Sequence, residues 1–276
     1  MSGGLTLVGT PIGNLSDFSP RAIEALKNCD VIAAEDTRVT RVLLAHFDIK
    51  KPLVSYHEHN ARESGQKLCE RMEAGEQVVL VTDAGMPAIS DPGELLVAQC
   101  HERGIPVHSV PGPTAMATAV ALSGLPSARF AFEGFLEVNK QPRREHLAAV
   151  AGETRTTVWY EAPHKLLATL TDMYAAFGDR NIALCRELTK LYEEVERTTL
   201  SAAVQTYTEK APRGEFVLVV EGASPAAQPR LSEDEALALA REYRDGGLRP
   251  SDAARKAAAE TGYTKSVLYR RLVQED

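Results

Sequence analysis

The chain has 276 residues, 44% of them hydrophobic and 25% charged, the balance of an ordinary globular protein with room for two medium domains and an appendage. Its net charge of −7 argues against a protein that coats nucleic acid indiscriminately, though one local basic face remains compatible with it. No apolar run nears the ~20 residues of a bilayer span, no signal-peptide pattern opens the chain, and Cys29, Cys69, Cys100 and Cys185 are scattered, so a reducing cytoplasm without disulfides or zinc is expected.

Residues 5–9 are a short apolar run that ends in Thr10-Pro11-Ile12-Gly13-Asn14, a strand feeding a turn. Ser19-Pro20 opens a helix, because Ser caps and Pro fits the first helical position ahead of the stripe Ala22, Ile23 and Leu26. Strands follow at 31–34 and 53–55, and Asn60-x-x-Glu63 reads as a capping-box start for a helix to residue 72. Residues 78–81 are a buried strand. A helix at 95–103 ends at Gly104, and a strand at 107–110 precedes a helix from 114 toward 123. Near-continuous apolar strands alternating with helices specify a mainly parallel sheet covered on both faces.

The texture then changes. Residues 130–135, 157–160, 182–185 and 216–220 read as strands, with helices near 144–150 and 166–176, an edge strand over 192–199 and a short helix over 200–207. This pattern predicts a mixed sheet in its own domain. Ala223-Ser224-Pro225-Ala226-Ala227-Gln228-Pro229 is a small-residue linker, followed by helices at 231–244, 251–260 and 264–273. Thr261-Gly262-Tyr263 is the tight turn of a helix-turn-helix pattern, which a plain packing module also satisfies. The domains are thus read as 1–112, 113–222 and 230–276.

Three stiff turns follow strands, where open α/β sheets bind ligands. Gly9-Thr10-Pro11-Ile12-Gly13-Asn14 is one, and alone it is weak. Thr82 to Gly93 holds two prolines, two glycines and two aspartates, which makes a rigid loop that exposes its backbone. Pro111-Gly112-Pro113-Thr114-Ala115 is the third, and the helix after it presents free N–H groups. Together they predict a preorganised small-molecule cleft. Glu35-Asp36-Thr37-Arg38 and His57-Glu58-His59-Asn60 close two other strands as groups able to handle protons. The His-x-His pair has no further ligands placed by sequence, so no metal is expected.

These segments, with Ser123-Gly124-Leu125-Pro126, Tyr160-Glu161-x-Pro163-His164 and Arg186-Glu187-Leu188-Thr189-Lys190, resemble the tetrapyrrole methylase superfamily. More narrowly they are similar to its small-subunit ribosomal RNA methyltransferase I branch, in order across residues 5–222. The resemblance implies an α/β two-lobed class III methyltransferase with a helix-turn-helix-like tail, acting as a homodimer. It implies S-adenosylmethionine folded in the cleft against Pro11, Ala84, Gly85, Ile89, Thr114, Ala115, Tyr160 and Leu184. It also implies 2′-O-methylation of a cytidine ribose in 16S rRNA, within the 30S subunit. Met86, Ala162 and Lys165 stand where the family usually has Thr, Ser and Arg, and the loop Glu137-Val138-Asn139-Lys140 departs from its usual proline-containing form.

A ribose hydroxyl is a poor nucleophile, so a base or a positioned acceptor is needed. Asp36 and Glu35 are the first candidates, His57 the second, and Arg38 is suited to a neighbouring phosphate. A plain Glu35–Arg38 ion pair is the competing account. For RNA grip, Lys140, Arg143 and Arg144 lie in one polar loop, and Arg270 and Arg271 lie on the last helix of the tail. Two other functions compete. One is a small-molecule tetrapyrrole methylase, which needs no such tail; the other is a ligand-sensing DNA-binding regulator, whose tail would enter the major groove.

Overall fold

Five strands make the first sheet: β1 (Gly4–Val8), β2 (Val31–Ala34), β3 (Leu53–Ser55), β4 (Gln77–Val81) and β5 (Val107–Val110). They are all parallel in the order β3-β2-β4-β1-β5. The computed structural model describes residues 3–224 and 232–274, and the chain divides into two units, Met1–Gly222 and Ala223–Asp276. From residue 225 onward, the expected proline linker lies outside the described residues.

The period of two along each strand sorts its side chains between two helical layers. Val31, Ala33, Val78 and Leu80 pack with Leu68, Met72, Leu96 and Cys100, which come from α3 (Ala61–Glu73) and α4 (Glu94–Glu102). The alternate residues Ile32, Ala34, Val79 and Val81 pack with Ala22, Leu26 and Leu44, from α1 (Pro20–Asn28) and α2 (Thr37–His46). Ser19 Oγ accepts from Ala22 N–H with Pro20 at the first helical position, as the sequence specifies.

The second sheet holds β6 (Phe130–Phe135), β7 (Thr156–Glu161), β8 (Asn181–Arg186), β9 (Glu194–Thr199) and β10 (Phe216–Val220), in the order β6-β7-β10-β8-β9. Only β6 and β7 run parallel, so the sheet is mixed. Ile182 and Leu184 face a core with Trp159, built on α7 (Leu166–Phe177) and α8 (Leu200–Glu209). Ala183 and Cys185 face α5 (Ala115–Ser123) through Ala119 and Val120.

Three local features differ from the sequence reading. Helix α2 was not foreseen, although Asp36 caps it and Val39, Val42 and Leu43 fall at helical spacing; its buried residues are Thr40 and Leu44, while Val39 and Val42 are exposed. Asn60 makes no cap; its Oδ1 accepts from His57 N–H, its Nδ2 donates to Ser55 O, and Glu63 pairs with Lys67. The basic segment read as a loop is the start of α6 (Lys140–Val150).

Arg143 donates from Nε and Nη2 to Asp172 Oδ2 on α7, and Arg144 donates from Nε to Asp172 Oδ1. The Asp172 and Arg143 side chains are 5% and 11% exposed, so the pair is buried. Removing one partner of such a pair leaves the other charged and desolvated. Asp172→Ala is therefore expected to lower stability by about 3 kcal/mol. A thermal melt with an unchanged midpoint would show that α6 and α7 do not depend on it.

The second unit is a three-helix packing of α9 (Glu233–Asp245), α10 (Pro250–Thr261) and α11 (Lys265–Gln274) around Leu237, Ala240, Ala254, Leu268 and Leu272. Ser232 and Glu235 form a reciprocal capping box, and Gly262 ends α10 in the left-handed region at φ +72°.

Candidate active site

Strand β1 lies between β4 and β5, so the turns after these three strands stand side by side at the carboxyl edge of the sheet. The first two are tied by Thr10 N–H to Gly85 O at 2.9 Å and Gly85 N–H to Thr10 O at 3.2 Å. Gly9 and Gly112 stand back to back; a Cβ on Gly112 would lie 2.8 Å from Gly9 Cα. Met86 fits the same junction, its Sδ accepting from Gly112 N–H at 3.3 Å.

A cavity of ≈ 450 Å³ opens above these turns, between the two sheets. Ala84, Gly85, Ile89, Thr114, Ala115 and Tyr160, all assigned to the cofactor by resemblance, line it. Pro11 is not among the lining residues, although its neighbour Ile12 is. Leu184 points away from the cavity, into the α7–α8 core, because on β8 it alternates with Cys185, which lines the cavity instead. Tyr160 closes one side, accepting from Met116 N–H at the start of α5 and packing edge-on against Phe135.

Four of the five non-glycine residues with positive φ among the described residues belong to this cavity's loops. Ala88 and Ser90 bracket Ile89, while Glu187 and Thr189 bracket Leu188, and both bracketed residues line the cavity. Strain of this kind costs of order 1–3 kcal/mol per residue and concentrates where a loop must present a particular surface.

One wall is acidic. Glu35, Asp83 and Asp91 all line the cavity. Burial, reinforced by Glu35 and Asp83, pushes the Asp91 carboxyl up to about 7. Burial and nearby carboxylates also raise Glu35 and Asp83 above the ordinary range. Asp36 differs sharply. It caps α2 by accepting from Arg38 N–H at 2.8 Å and holds the Arg38 guanidinium at 2.6 and 3.1 Å. Those bonds hold its carboxyl down at about 2. Arg38 thus pairs with Asp36, not with Glu35, and its side chain is 85% exposed. Neither Asp36 nor Arg38 lines the cavity, and neither does His57, whose Nδ1 is buried without a partner.

The sequence reading passed over Asp83 and Asp91 as chemical groups. The signal was present, since both lie in a proline- and glycine-rich loop after a buried strand. Of the expected RNA contacts, Arg143 and Arg144 are engaged by Asp172, and Arg271 by Glu233 and Asp234. Lys140 and Arg270 are exposed.

Among the described residues, no helix is long and apolar enough to cross a membrane. The sequence profile described as Tetrapyrrole (Corrin/Porphyrin) Methylases matches residues 4–204. The chain is 48% identical over 269 residues to the ribosomal RNA small subunit methyltransferase I of Synechocystis sp., covering 97% of this chain and 96% of that one. It is 46% identical to the protein of the same name from Thermotoga maritima over 220 residues, 80% of this chain but 99% of that one. In fold it is similar to the uroporphyrin-III C-methyl transferase of Thermus thermophilus complexed with S-adenyl homocysteine. That likeness has a TM-score of 0.55 at 21% identity, over 78% of this chain and 97% of that one. The chain belongs to the tetrapyrrole methylase superfamily and, within it, to the ribosomal RNA small subunit methyltransferase I family.

Proposed function

We propose that this chain moves a methyl group from S-adenosylmethionine to the 2′-hydroxyl of a cytidine ribose in small-subunit ribosomal RNA. The observation that carries the reading is the acidic wall of Glu35, Asp83 and Asp91 in a cleft whose lining also includes the apolar Ile12, Ile89, Leu188 and Val217, with Lys190 and Glu215 at another part of it. Three crowded carboxyl groups favour a cationic occupant, and the apolar side chains favour a nucleoside and a thioether chain. The cavity volume of ≈ 450 Å³ is within the usual range for a cofactor of that size.

S-adenosylmethionine, when bound, supplies an electrophilic methyl group on a sulfonium. The chain supplies position and proton handling. The start of α5 offers the Ala115 backbone N–H, those of Met116 and Ala117 being taken by Tyr160 and Thr114, and the turns after β1, β4 and β5 fix the floor. Ile89 and Leu188, held by their strained neighbours, exclude water from the reacting centre. Asp91 takes the proton of the incoming hydroxyl, because its carboxyl is raised toward neutrality while Asp36 is held far below it. Glu35 stands second. Asp36 orients Arg38, whose exposed guanidinium meets a phosphate next to the target ribose. Leu191 and Tyr192, 88% and 69% exposed, suit a homodimer contact, and the working location is the cytoplasm.

The test is incubation of the chain with methyl-labelled S-adenosylmethionine and unmodified 30S subunits, followed by mapping of the label. A 2′-O-methyl on one cytidine is expected, with naked 16S rRNA a poorer acceptor. Label on a base, or none on RNA and transfer to a porphyrinoid instead, would overturn the reading.

A further inference from the structure

We infer that a second cavity, beside the cleft, holds backbone phosphates of the RNA strand presented to the active site; this inference rests on the RNA reading above. The cavity measures ≈ 320 Å³ and carries Arg186, Lys210 and Arg213 around a floor of Tyr207 and Phe216. Phe216 also lines the larger cleft, and Arg186 directly follows Cys185, which does so too. The two cavities therefore share a wall, and a strand lying in one is delivered to the other.

The chemistry of the lining selects the sugar–phosphate chain, not a base. Tyr207 and Phe216 are 5% and 2% exposed, so neither offers a ring face for stacking. Of the three cations, Arg186 is paired with Glu194 at 2.7 Å, and Lys210 lies close enough to feel the same carboxylate. Neither Lys210 nor Arg213 makes a side-chain hydrogen bond or ion pair among the described residues. One carboxylate, Glu194, is held by Arg186 at the cavity itself, while Glu196 accepts from the Tyr207 hydroxyl and Glu215 is engaged by Lys190. Arg186 gives Glu194 its Nε and Nη2, and its Nη1 remains for a phosphate oxygen.

The backbone there is stiff. Lys210 terminates α8 with its N–H on Thr206 O, Pro212 follows, and Gly214 turns the chain at φ +82° into β10. This fixed cationic rim contrasts with the basic residues first expected to meet RNA. Arg143, Arg144 and Arg271 are already committed to carboxylates. Lys210 and Arg213 thus add a phosphate grip beside the cleft to the contact proposed for Arg38.

The experiment compares the unaltered full-length chain, the double variant Lys210→Ala/Arg213→Ala, and Arg270→Ala as a tail control. Each binds a fluorescent fragment of 16S rRNA that contains the mapped methylation site, over a salt series, and each is assayed on 30S subunits. Two lost phosphate contacts should lower the log–log salt slope by about 1.5 and weaken binding about tenfold at moderate salt. KM for RNA should rise while kcat stays within about twofold and calorimetric affinity for S-adenosylmethionine is unchanged. Arg270→Ala should keep the slope. An unchanged slope in the double variant, or a loss that appears with Arg270→Ala instead, overturns the cavity's role. If the unaltered chain transfers no methyl group to RNA, the acceptor reading falls and this inference falls with it.

Discussion

Gly112→Ala is expected to abolish S-adenosylmethionine binding while leaving most of the fold in place. The added methyl would lie 2.8 Å from Gly9 Cα and 2.9 Å from Gly9 C and O, and all three are backbone atoms that cannot rotate away. The only relief is to separate the carboxyl ends of β1 and β5, which hold two of the three turns under the cleft. Overpacking at one such point costs about 1–3 kcal/mol. A displacement near 1 Å in a preorganised site costs about 10²-fold in function. Affinity should therefore suffer far more than the melting temperature. Gly85→Ala is the contrasting variant: its Cβ would meet nothing closer than Ile12 Cγ2 at 3.6 Å, and its penalty is the backbone at φ +90°. It should lose stability by about 1–2 kcal/mol and bind the cofactor less severely weakened. Calorimetry on both decides the matter. Gly112→Ala with normal affinity would mean that the turns are not the cofactor's floor.

Much of this site was legible because turn chemistry is local. Pro, Gly and Asp clusters after apolar runs located the three turns, and the strand alternation of β2 and β4 followed from their unbroken apolar composition. What the sequence withheld depends on which distant segments meet. Asp91 looks like any loop aspartate until the fold sets it near Glu35 and Asp83 and removes its water. Asp36 looked like the best base and is instead a helix cap clamped by Arg38, a partnership that shows only once α2 is seen to start at Thr37. Leu184 and Cys185 are neighbours in sequence on opposite faces of β8, so an assignment one residue off reverses its meaning. Arg143 and Arg144 read as free cations because Asp172, their partner, lies on another helix.

Asp91→Asn is expected to slow methyl transfer and, at the same time, to stabilise the cofactor-free protein above neutral pH. The sign follows from the direction of the shift. Burial holds the folded carboxyl up at about 7 against an ordinary value of 3.8 for an unfolded one, so over that interval the folded state holds the proton more tightly. Stability from this group therefore falls as pH rises from about 4 to about 7 and stays low beyond it. Asparagine cannot ionise, so the melting temperature of the variant should exceed that of the unaltered chain at pH 8 and approach it at pH 5. Chemistry moves the other way. Without a proton acceptor at this position the single-turnover rate, at saturating RNA and cofactor, should drop by about 10²–10⁴-fold. In the unaltered chain that rate should fall on the acid side, with its midpoint below 7, because a bound sulfonium lowers the carboxyl's affinity for its proton. Asp36→Asn should slow the same step far less. If Asp91→Asn gains stability at pH 8 yet keeps its rate, the acidic wall serves only to attract the cofactor, and Glu35 becomes the acceptor to test.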